Sequence, residues 1–246
     1  DIALWDIAGK RASQPLATLL GGAKRTKLPA YASLMRYTAP ALVAKNAAVA
    51  VERGYRAIKL HEIGVEQVRA AREAIGTDAK LMMDTNCPWN VEEALTIARA
   101  IAPYDVHWFE EPIFPPEDFE ALAAVRRAAG ISIAAGENVI SATQFRHMFD
   151  AGAVDIAQPS VTKIGGVSEM MRIARLCEER GVSFVPHSPY FGPGLLATLH
   201  IAAVQPTETM IEYSLADLGA NPLGDAILVR DGAIAVPSGS GLGRDP

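Results

Sequence analysis

The chain reads LMMDTN at residues 81–86, VHWFEEP at residues 106–112 and ISIAAGEN at residues 131–138. Each stretch is a short apolar run that leads into an acid, and the three acids are Asp84, Glu110 and Glu137. Segments of helical period separate the runs, so that a strand and a helix recur about every 25 residues, as in a parallel barrel. Because parallel strands end on one face of a barrel, the three carboxylates are predicted to meet there.

Three carboxylates that meet would repel one another in the absence of a cation. Oxygen ligands that leave room for water and substrate suit Mg²⁺ better than Zn²⁺. The alternative interpretation is that each acid merely caps the helix that follows it, as acids near helix N-termini often do. The matching position of all three acids favours a Mg²⁺ site formed by Asp84, Glu110 and Glu137.

Outward from this region, five further apolar runs continue the same spacing. Strands one, two, six, seven and eight are predicted at residues 28–34, 55–60, 153–158, 182–187 and 209–213. Helical segments are predicted at residues 39–53, 65–75, 91–101, 117–129, 142–151, 166–180 and 194–204. The pattern predicts an α/β fold, a (β/α)8 (TIM) barrel, as a single domain over residues 1–246. Residues 1–27 form lead-in helices, 28–213 the eight units, and 214–246 a tail with a hairpin.

The composition agrees with such a barrel and excludes some classes of partner. The length of 246 residues matches the roughly 250 residues of a typical barrel. A net charge of −5 without a basic cluster argues against a nucleic-acid partner. Two widely separated cysteines fit a reducing cytoplasm, and no apolar run approaches the roughly 20 residues of a membrane helix. The chain begins without Met inside what reads as ordered structure, so an upstream region is expected.

Several predicted strands end in polar residues of catalytic type. On strand two, Lys59 and His61 alternate with Leu60 and should face the same side. A lysine inside a barrel needs an anion, so Lys59 either meets a substrate carboxylate or leaves the mouth and reaches solvent. On strand seven, His187 is an acid/base candidate, or else a histidine bonded to a loop carbonyl. On strand eight, Glu212 is a fourth acid, expected to stay protonated and to donate a hydrogen bond.

Two further residues are candidates for binding the substrate. Asn86 follows Asp84 by two residues, and Ser160 follows the predicted strand six. Both positions belong to the face of the barrel on which the acids are predicted to meet.

These residues resemble the enolase superfamily, in its mandelate racemase subgroup. The resemblance covers essentially the whole chain, from ALWDIAGK (3–10) through KIGGVSE (163–169) to GSGLG (239–243). It implies that Asp84, Glu110 and Glu137 are Mg²⁺ ligands, and that His187 and Glu212 match catalytic residues. Members of the family remove the proton α to a carboxylate, and the metal stabilises the enediolate. The resemblance also implies an N-terminal α+β capping domain, which is expected to be missing from this chain.

The chain departs from the pattern of this family at two positions. The usual Lys-x-Lys on strand two is here Lys59-x-His61, and the usual Asp that bonds the strand-seven histidine is here Ser160. Without that carboxylate a protonated His187 is less stabilised. The departure makes racemisation by two matched bases less favourable and leaves His187 available as a general acid.

The leading hypothesis is therefore a Mg²⁺-dependent hydro-lyase that dehydrates a sugar acid to a 2-keto-3-deoxy acid. Its catalytic residues are Lys59, His61, His187 and Glu212. One alternative is an isomerase of the same chemistry, either a racemase, an epimerase or a sugar-lactone cycloisomerase. Another is a catalytically silent barrel that binds a sugar acid. The expected partner is a small-molecule carboxylate, and the protein is expected to be a cytoplasmic homo-oligomer.

Overall fold

The computed structural model describes residues 1–217 and 222–244, and in them the chain forms the expected barrel. Parallel pairing runs in chain order from the first strand to the seventh, and the eighth strand pairs in parallel with the first. The strands are β1 (Lys27–Ser33), β2 (Ala57–His61), β3 (Lys80–Asp84), β4 (Val106–Glu110), β5 (Ile133–Ala135), β6 (Ile156–Ala157), β7 (Ser183–Phe184) and β8 (Ile211–Ser214). Side-chain hydrogen bonds join the segments of β7 and β8, including one from Thr209 Oγ1 to Phe184 O. The α/β barrel expected from the sequence is confirmed.

One helix follows each of the first seven strands, and two helices precede β1. The helices are α1 (Ile2–Ala12), α2 (Leu16–Leu19), α3 (Pro40–Glu52), α4 (Val65–Ile75), α5 (Val91–Ile101), α6 (Phe119–Ala129), α7 (Ala142–Asp150), α8 (Val167–Arg180) and α9 (Pro193–Ala203). The start of α5 is fixed by a reciprocal cap, in which Asn90 and Glu93 each accept a hydrogen bond from the other's backbone N–H. Side-chain caps from Asp118 and Ser141 likewise fix the starts of α6 and α7.

The tail contains the expected hairpin. Strands β9 (Val229–Arg230) and β10 (Ala233–Ala235) pair antiparallel, and β10 also pairs antiparallel with the start of β1. The pairing with β1 was not foreseen. Within the predicted tail, residues 218–221 and 245–246 lie outside the described part of the chain.

The barrel interior contains an apolar layer to which each of the eight strands, or the residue directly next to it, contributes one side chain. A single cluster contains Tyr31, Ala57, Met82, Trp108, Ala134, Ile156 and Val185, with Met210 packed against it. The rings of Tyr31 and Trp108 meet edge to face, with centroids 5.5 Å apart. The outward-facing strand residues, such as Leu60 and Met83, belong instead to the larger core between strands and helices. This apolar layer, called the apolar floor below, lies beneath the side chains at the C-terminal ends of the strands.

Strands β5 and β7 end earlier than the apolar runs predict, and this changes how the predicted metal ligand Glu137 and the acid/base candidate His187 are placed. Strand β5 ends at Ala135, and Glu137 follows it across Gly136, whose φ of 135° is outside the range of a strand. Strand β7 ends at Phe184, so that His187 lies three residues beyond it. Glu137 therefore reaches the mouth on a loop, and His187 lies beyond the end of β7, where its backbone N–H donates to Pro159 O at 3.2 Å.

In the described residues, no helix combines the length and the apolar character that crossing a membrane requires.

Candidate functional site

A polar layer lies directly above the apolar floor, on the side of the strand C-termini. Each member follows the floor residue of its own strand by two positions, which keeps both side chains on the inner side of the barrel. The members are Ser33, Lys59, Asp84, Glu110, Gln158, His187 and Glu212. All of them except His187 are buried. On β5 the corresponding position is Gly136, and Glu137 enters the layer from the next residue.

The predicted metal-binding acids Asp84, Glu110 and Glu137 form one cluster. Each offers a carboxylate oxygen, and the three oxygens lie within 4.8 Å of one another. The Oδ2 atom of Asp84 is buried and has no hydrogen-bond partner in the described residues, although Lys59 Nζ and His61 Nε2 lie 3.2 Å and 3.1 Å from it. Clustered carboxylate oxygens are the ligands that hard divalent cations such as Mg²⁺ prefer. These residues therefore fit a bound metal ion.

Lys59 neutralises the acids from within the barrel. Its side chain is fully buried, and Nζ lies 2.7 Å from Glu110 Oε1, 2.9 Å from Glu212 Oε1 and 3.2 Å from Asp84 Oδ2. Burial opposes the charged form, but Glu110 and Glu212 hold the pKa of Lys59 well above its usual value. The alternative in which Lys59 reaches solvent is therefore wrong. Its contact with a substrate carboxylate stays a prediction.

Glu212 differs from expectation in its protonation state. Its Oε1 atom accepts a hydrogen bond from Ser33 Oγ at 2.7 Å, and its Oε2 atom accepts one from Ser188 N at 3.2 Å. Burial alone would raise the pKa of Glu212, but Lys59 and His187 hold it below its usual value. The expectation that Glu212 stays protonated and donates a hydrogen bond is wrong, because the lysine beside it stabilises the carboxylate.

The cluster shifts the pKa values of Asp84 and Glu110 in opposite directions. Burial and the neighbouring charge of Asp84 raise the pKa of Glu110 well above its usual range. Burial also acts on Asp84, but Lys59 and His61 outweigh it and hold the pKa of Asp84 well below its usual value. Trp108 Nε1 donates to Glu110 Oε2 at 2.8 Å and fixes that side chain. A cation bound between the two carboxylates would relieve this repulsion.

His61 approaches the cluster from the β2 side. Its Nε2 atom lies 3.1 Å from Asp84 Oδ2, and its Nδ1 atom is hydrogen-bonded to the backbone carbonyl of Leu34. Because a carbonyl can only accept, Nδ1 carries the proton and a neutral His61 presents an unprotonated Nε2 to the site. Burial opposes protonation, but the Asp84 carboxylate beside Nε2 favours the charged ring and raises the pKa of His61.

His187 approaches the same cluster from the β7 side. Its Nε2 atom lies 2.7 Å from Glu137 Oε2. Burial alone would raise the pKa of Glu137, but the hydrogen bond from His187 lowers it. On the other side of the ring, Nδ1 faces the hydroxyl of Tyr190 at 3.4 Å. The predicted acid/base pair is thus directed at the acids from two sides.

The two predicted substrate-binding residues occupy different surroundings. Asn86 donates from both its backbone N and its Nδ2 atom to Asp84 Oδ1, each at 3.1 Å, and so orients that carboxylate. It also lines a cavity of about 410 Å³ at the mouth together with His61 and Arg36. Ser160 is fully buried, and its hydroxyl contacts Tyr190. A role in substrate binding stays a prediction for both residues.

Sequence reasoning did not single out three residues of this site. Ser33 and Gln158 could have been found by counting two positions onward from the apolar floor on β1 and β6. Both amide atoms of Gln158 are buried without a hydrogen-bond partner in the described residues, so a polar ligand atom could bond to them. Tyr190 lies in the loop after β7, where no periodic signal marks a residue, so only the structure could reveal it.

Comparisons with known proteins agree with this arrangement. The family model described as enolase C-terminal domain-like matches residues 42–246. A D-galactarolactone cycloisomerase of Agrobacterium fabrum is 38% identical over 99% of this chain and 69% of its own length. An arabinonate dehydratase of Saccharolobus solfataricus is 34% identical over 99% of this chain and 67% of its own length.

A solved structure extends the likeness to three dimensions. The 3,6-anhydro-D-galactonate cycloisomerase of Zobellia galactanivorans has a TM-score of 0.90 and 34% sequence identity to this chain. The match covers 99% of this chain and 70% of that protein. Similarity at this level extends over the strands and loops that form the polar layer.

Proposed function

The chain belongs to the enolase C-terminal domain-like family, and from this membership we propose that it is a magnesium-dependent enzyme acting on sugar acids. In the proposed reaction the proton α to the carboxylate is removed and the β-hydroxyl is expelled, which yields a 2-keto-3-deoxy acid. The observation that carries the proposal is the convergence of two imidazoles and three carboxylates: His61 Nε2 lies 3.1 Å from Asp84, and His187 Nε2 lies 2.7 Å from Glu137.

Asp84, Glu110 and Glu137 would hold the Mg²⁺ ion. When bound, the ion would supply the positive charge that stabilises the enediolate formed on loss of the α-proton. Lys59 would add a second positive charge from the barrel interior. Once the carboxylates are bound to a cation, the ammonium is less fully neutralised by them and can stabilise negative charge on the substrate carboxylate.

The two histidines would divide the proton transfers. The Leu34 carbonyl keeps the proton of a neutral His61 on Nδ1, so that Nε2 can accept the α-proton. His187, on the other side of the site, would deliver a proton to the departing hydroxyl. Elimination needs such an unlike pair, whereas racemisation needs two groups that each act as a base.

A sugar-lactone cycloisomerase is the second candidate. It is favoured by the 38% identity to the cycloisomerase of Agrobacterium fabrum. It would use the same α-proton abstraction and the same metal, and would differ in the bond that breaks afterwards. The homo-oligomeric state and the cytoplasmic location expected from the sequence also stay predictions.

Incubation of the magnesium-loaded protein with a panel of sugar acids and sugar lactones in D₂O, followed by NMR, tests these candidates. Loss of one hydroxyl and formation of a keto group, with deuterium incorporated next to it, would support dehydration. A product isomeric with its lactone substrate would favour the second candidate. The absence of turnover and of α-proton exchange across the panel would contradict both and favour a barrel that only binds its ligand.

A further inference from the structure

The Nδ1 atom of His187 faces a hydroxyl, whereas the family pattern has an aspartate that bonds this histidine. The Tyr190 hydroxyl lies 3.4 Å from Nδ1, and the two rings meet edge to face with centroids 5.9 Å apart. The Ser160 hydroxyl is hydrogen-bonded to that of Tyr190. The Thr162 hydroxyl lies 3.4 Å from Ser160 Oγ and extends the chain of hydroxyls by one more member.

We propose that Tyr190 is the positioning residue of His187, and that the hydroxyls of Tyr190 and Ser160 together replace the carboxylate that would otherwise hold the imidazole. This proposal rests on the role of His187 in the function proposed above. Tyr190 acts through His187 and does not itself touch the substrate.

The hydrogen-bond donors and acceptors along this chain of hydroxyls are mutually consistent. A neutral His187 donates from Nε2 to the Glu137 carboxylate, since a carboxylate can only accept. Its Nδ1 atom must then accept a hydrogen bond, which the Tyr190 hydroxyl can donate. The Tyr190 oxygen can in turn accept from Ser160. Burial raises the pKa of Tyr190, against the opposing effect of Ser160, so that the phenol keeps its proton and can donate.

A chain of hydroxyls also serves a protonated imidazole. Both nitrogens of an imidazolium donate, and the Tyr190 oxygen can accept from Nδ1 once its own hydrogen has rotated toward Ser160. A carboxylate at this place could only accept and would favour the charged ring. The hydroxyls therefore keep the ring oriented in both protonation states without adding a fixed charge to an already acidic site.

The packing around Tyr190 indicates that its place is built into the fold. Gly194, at the start of α9, lies against the ring: a Cβ there would stand 3.0 Å from Tyr190 Cδ2 and 2.7 Å from Thr162 Cγ2. Contacts below 3.0 Å are too close for carbon atoms without a shift of the neighbours. Because Gly194 has no side chain, the Tyr190 ring can pack against it. The small Ser160 leaves room for the Tyr190 hydroxyl.

The test is the Tyr190→Phe variant of the magnesium-loaded protein, which removes one oxygen atom and leaves the ring. Tyr104→Phe, at the opposite end of the barrel, is the matched control. We expect kcat to fall by about 10²-fold in the Tyr190 variant, the scale of loss when a catalytic group is misoriented. KM should stay within about twofold, because the substrate contacts are unchanged. Ser160→Ala should cause a smaller loss in the same direction.

The second measurement does not depend on turnover. In ¹⁵N-histidine-labelled protein, the Nδ1 resonance of His187 should shift in Tyr190→Phe and stay in place in Tyr104→Phe. Unchanged kcat, or an unchanged Nδ1 resonance in a folded Tyr190→Phe protein, would overturn the proposal. If the wild-type protein turns over no sugar acid or lactone, the proposed function fails, and the resonance still decides whether Tyr190 holds His187.

Discussion

The Nζ atom of Lys59 lies 2.7 Å from Oε1 of Glu110, and both side chains are fully buried beneath the mouth of the barrel. The same carboxylate is a predicted metal ligand, so it faces a cation of the protein as well as the place of a divalent ion. A buried carboxylate needs compensation whether or not metal is present. Lys59 supplies this compensation permanently, so the carboxylate has a counter-charge in the metal-free protein as well.

Replacing Lys59 by Met removes the charge and keeps most of the side-chain volume. Asp84, Glu110 and Glu212 would then face one another without a cation. We expect the free energy of unfolding of the metal-free protein to fall by about 3–5 kcal/mol near neutral pH, the usual cost of breaking one side of a buried ion pair. Urea unfolding measures this change, and Lys80→Met, at an exposed site at the start of β3, is the control.

The pH dependence of this loss has a definite sign. Lys59 lowers the pKa of both Asp84 and Glu212. A lowered pKa contributes stability above the unfolded value, near 4, and this contribution disappears as the pH falls. The pKa of Glu110 is already raised, and it would rise further without Lys59. The difference between wild type and Lys59→Met should therefore shrink as the pH is lowered, first through the raised pKa of Glu110 and then below about 4, where Asp84 and Glu212 become protonated. A pH-independent difference would contradict the electrostatic role.

Replacing Glu110 by Gln removes one charged oxygen ligand and keeps the shape of the side chain. We expect the affinity for Mg²⁺ to fall by about 100-fold or more, since even residues behind metal ligands contribute about 10–100-fold. Glu111→Gln, at the neighbouring residue, is the control. Glu111 is buried and accepts hydrogen bonds from Gly136 N and Cys87 Sγ, but it lies outside the acid cluster. Calorimetric titration that gives equal affinities for the two variants would remove Glu110 from the metal site.

The predicted acid cluster was accessible from sequence because it depends on one regular feature, the spacing of apolar runs that end in acids. Parallel strands bring such residues together whatever the details of the loops. The ionised state of Glu212 was not accessible, because it depends on a 2.9 Å contact with Lys59 between strands that are not adjacent in the chain. β2 and β8 are both neighbours of β1, and only the folded barrel closes that distance.

Loop residues were the hardest to predict. Glu137 and His187 were found because apolar runs precede them, although both lie beyond the ends of their strands. Tyr190 is near His187 only because the loop turns back after Ser188, whose carbonyl accepts from Tyr190 N at 2.7 Å. No periodicity in the sequence records that turn.

The two histidines can be distinguished by separate substitutions to Asn. Because Leu34 keeps the neutral His61 unprotonated at Nε2, His61→Asn should abolish exchange of the substrate α-proton with D₂O. His187→Asn should retain exchange and lose expulsion of the hydroxyl, each effect amounting to about 10²–10⁴-fold. His147→Asn, at an exposed position on α7, is the control. Retained exchange in His61→Asn together with lost exchange in His187→Asn would reverse the assignment.

The packing of the Tyr190 ring against Gly194 can be tested without changing Tyr190. Gly194→Ala would bring a Cβ within 2.7 Å of Thr162 and 3.0 Å of the Tyr190 ring, so one of them must move. Alanine at this helical position would by itself stabilise α9 by about 1 kcal/mol relative to glycine. Overpacking would cost about 1–3 kcal/mol. The free energy of unfolding should therefore fall by only about 0–2 kcal/mol, while displacement of Tyr190 lowers kcat by about 10²-fold.

The matched control lies two residues earlier in the same segment. At Gly192 an added Cβ meets no heavy atom within 4 Å among the described residues, and its backbone is extended, so Gly192→Ala is tolerated. We expect wild-type turnover for that variant. Enzyme assays and urea unfolding of both alanine variants separate displacement of Tyr190 from a general weakening of α9. A general weakening would lower the free energy of unfolding along with activity. Full turnover in Gly194→Ala would mean that His187 keeps its orientation without Tyr190 in its present place. A loss of turnover in Gly194→Ala at nearly unchanged free energy of unfolding would instead show that the Tyr190 ring, packed against Gly194, orients the imidazole of His187.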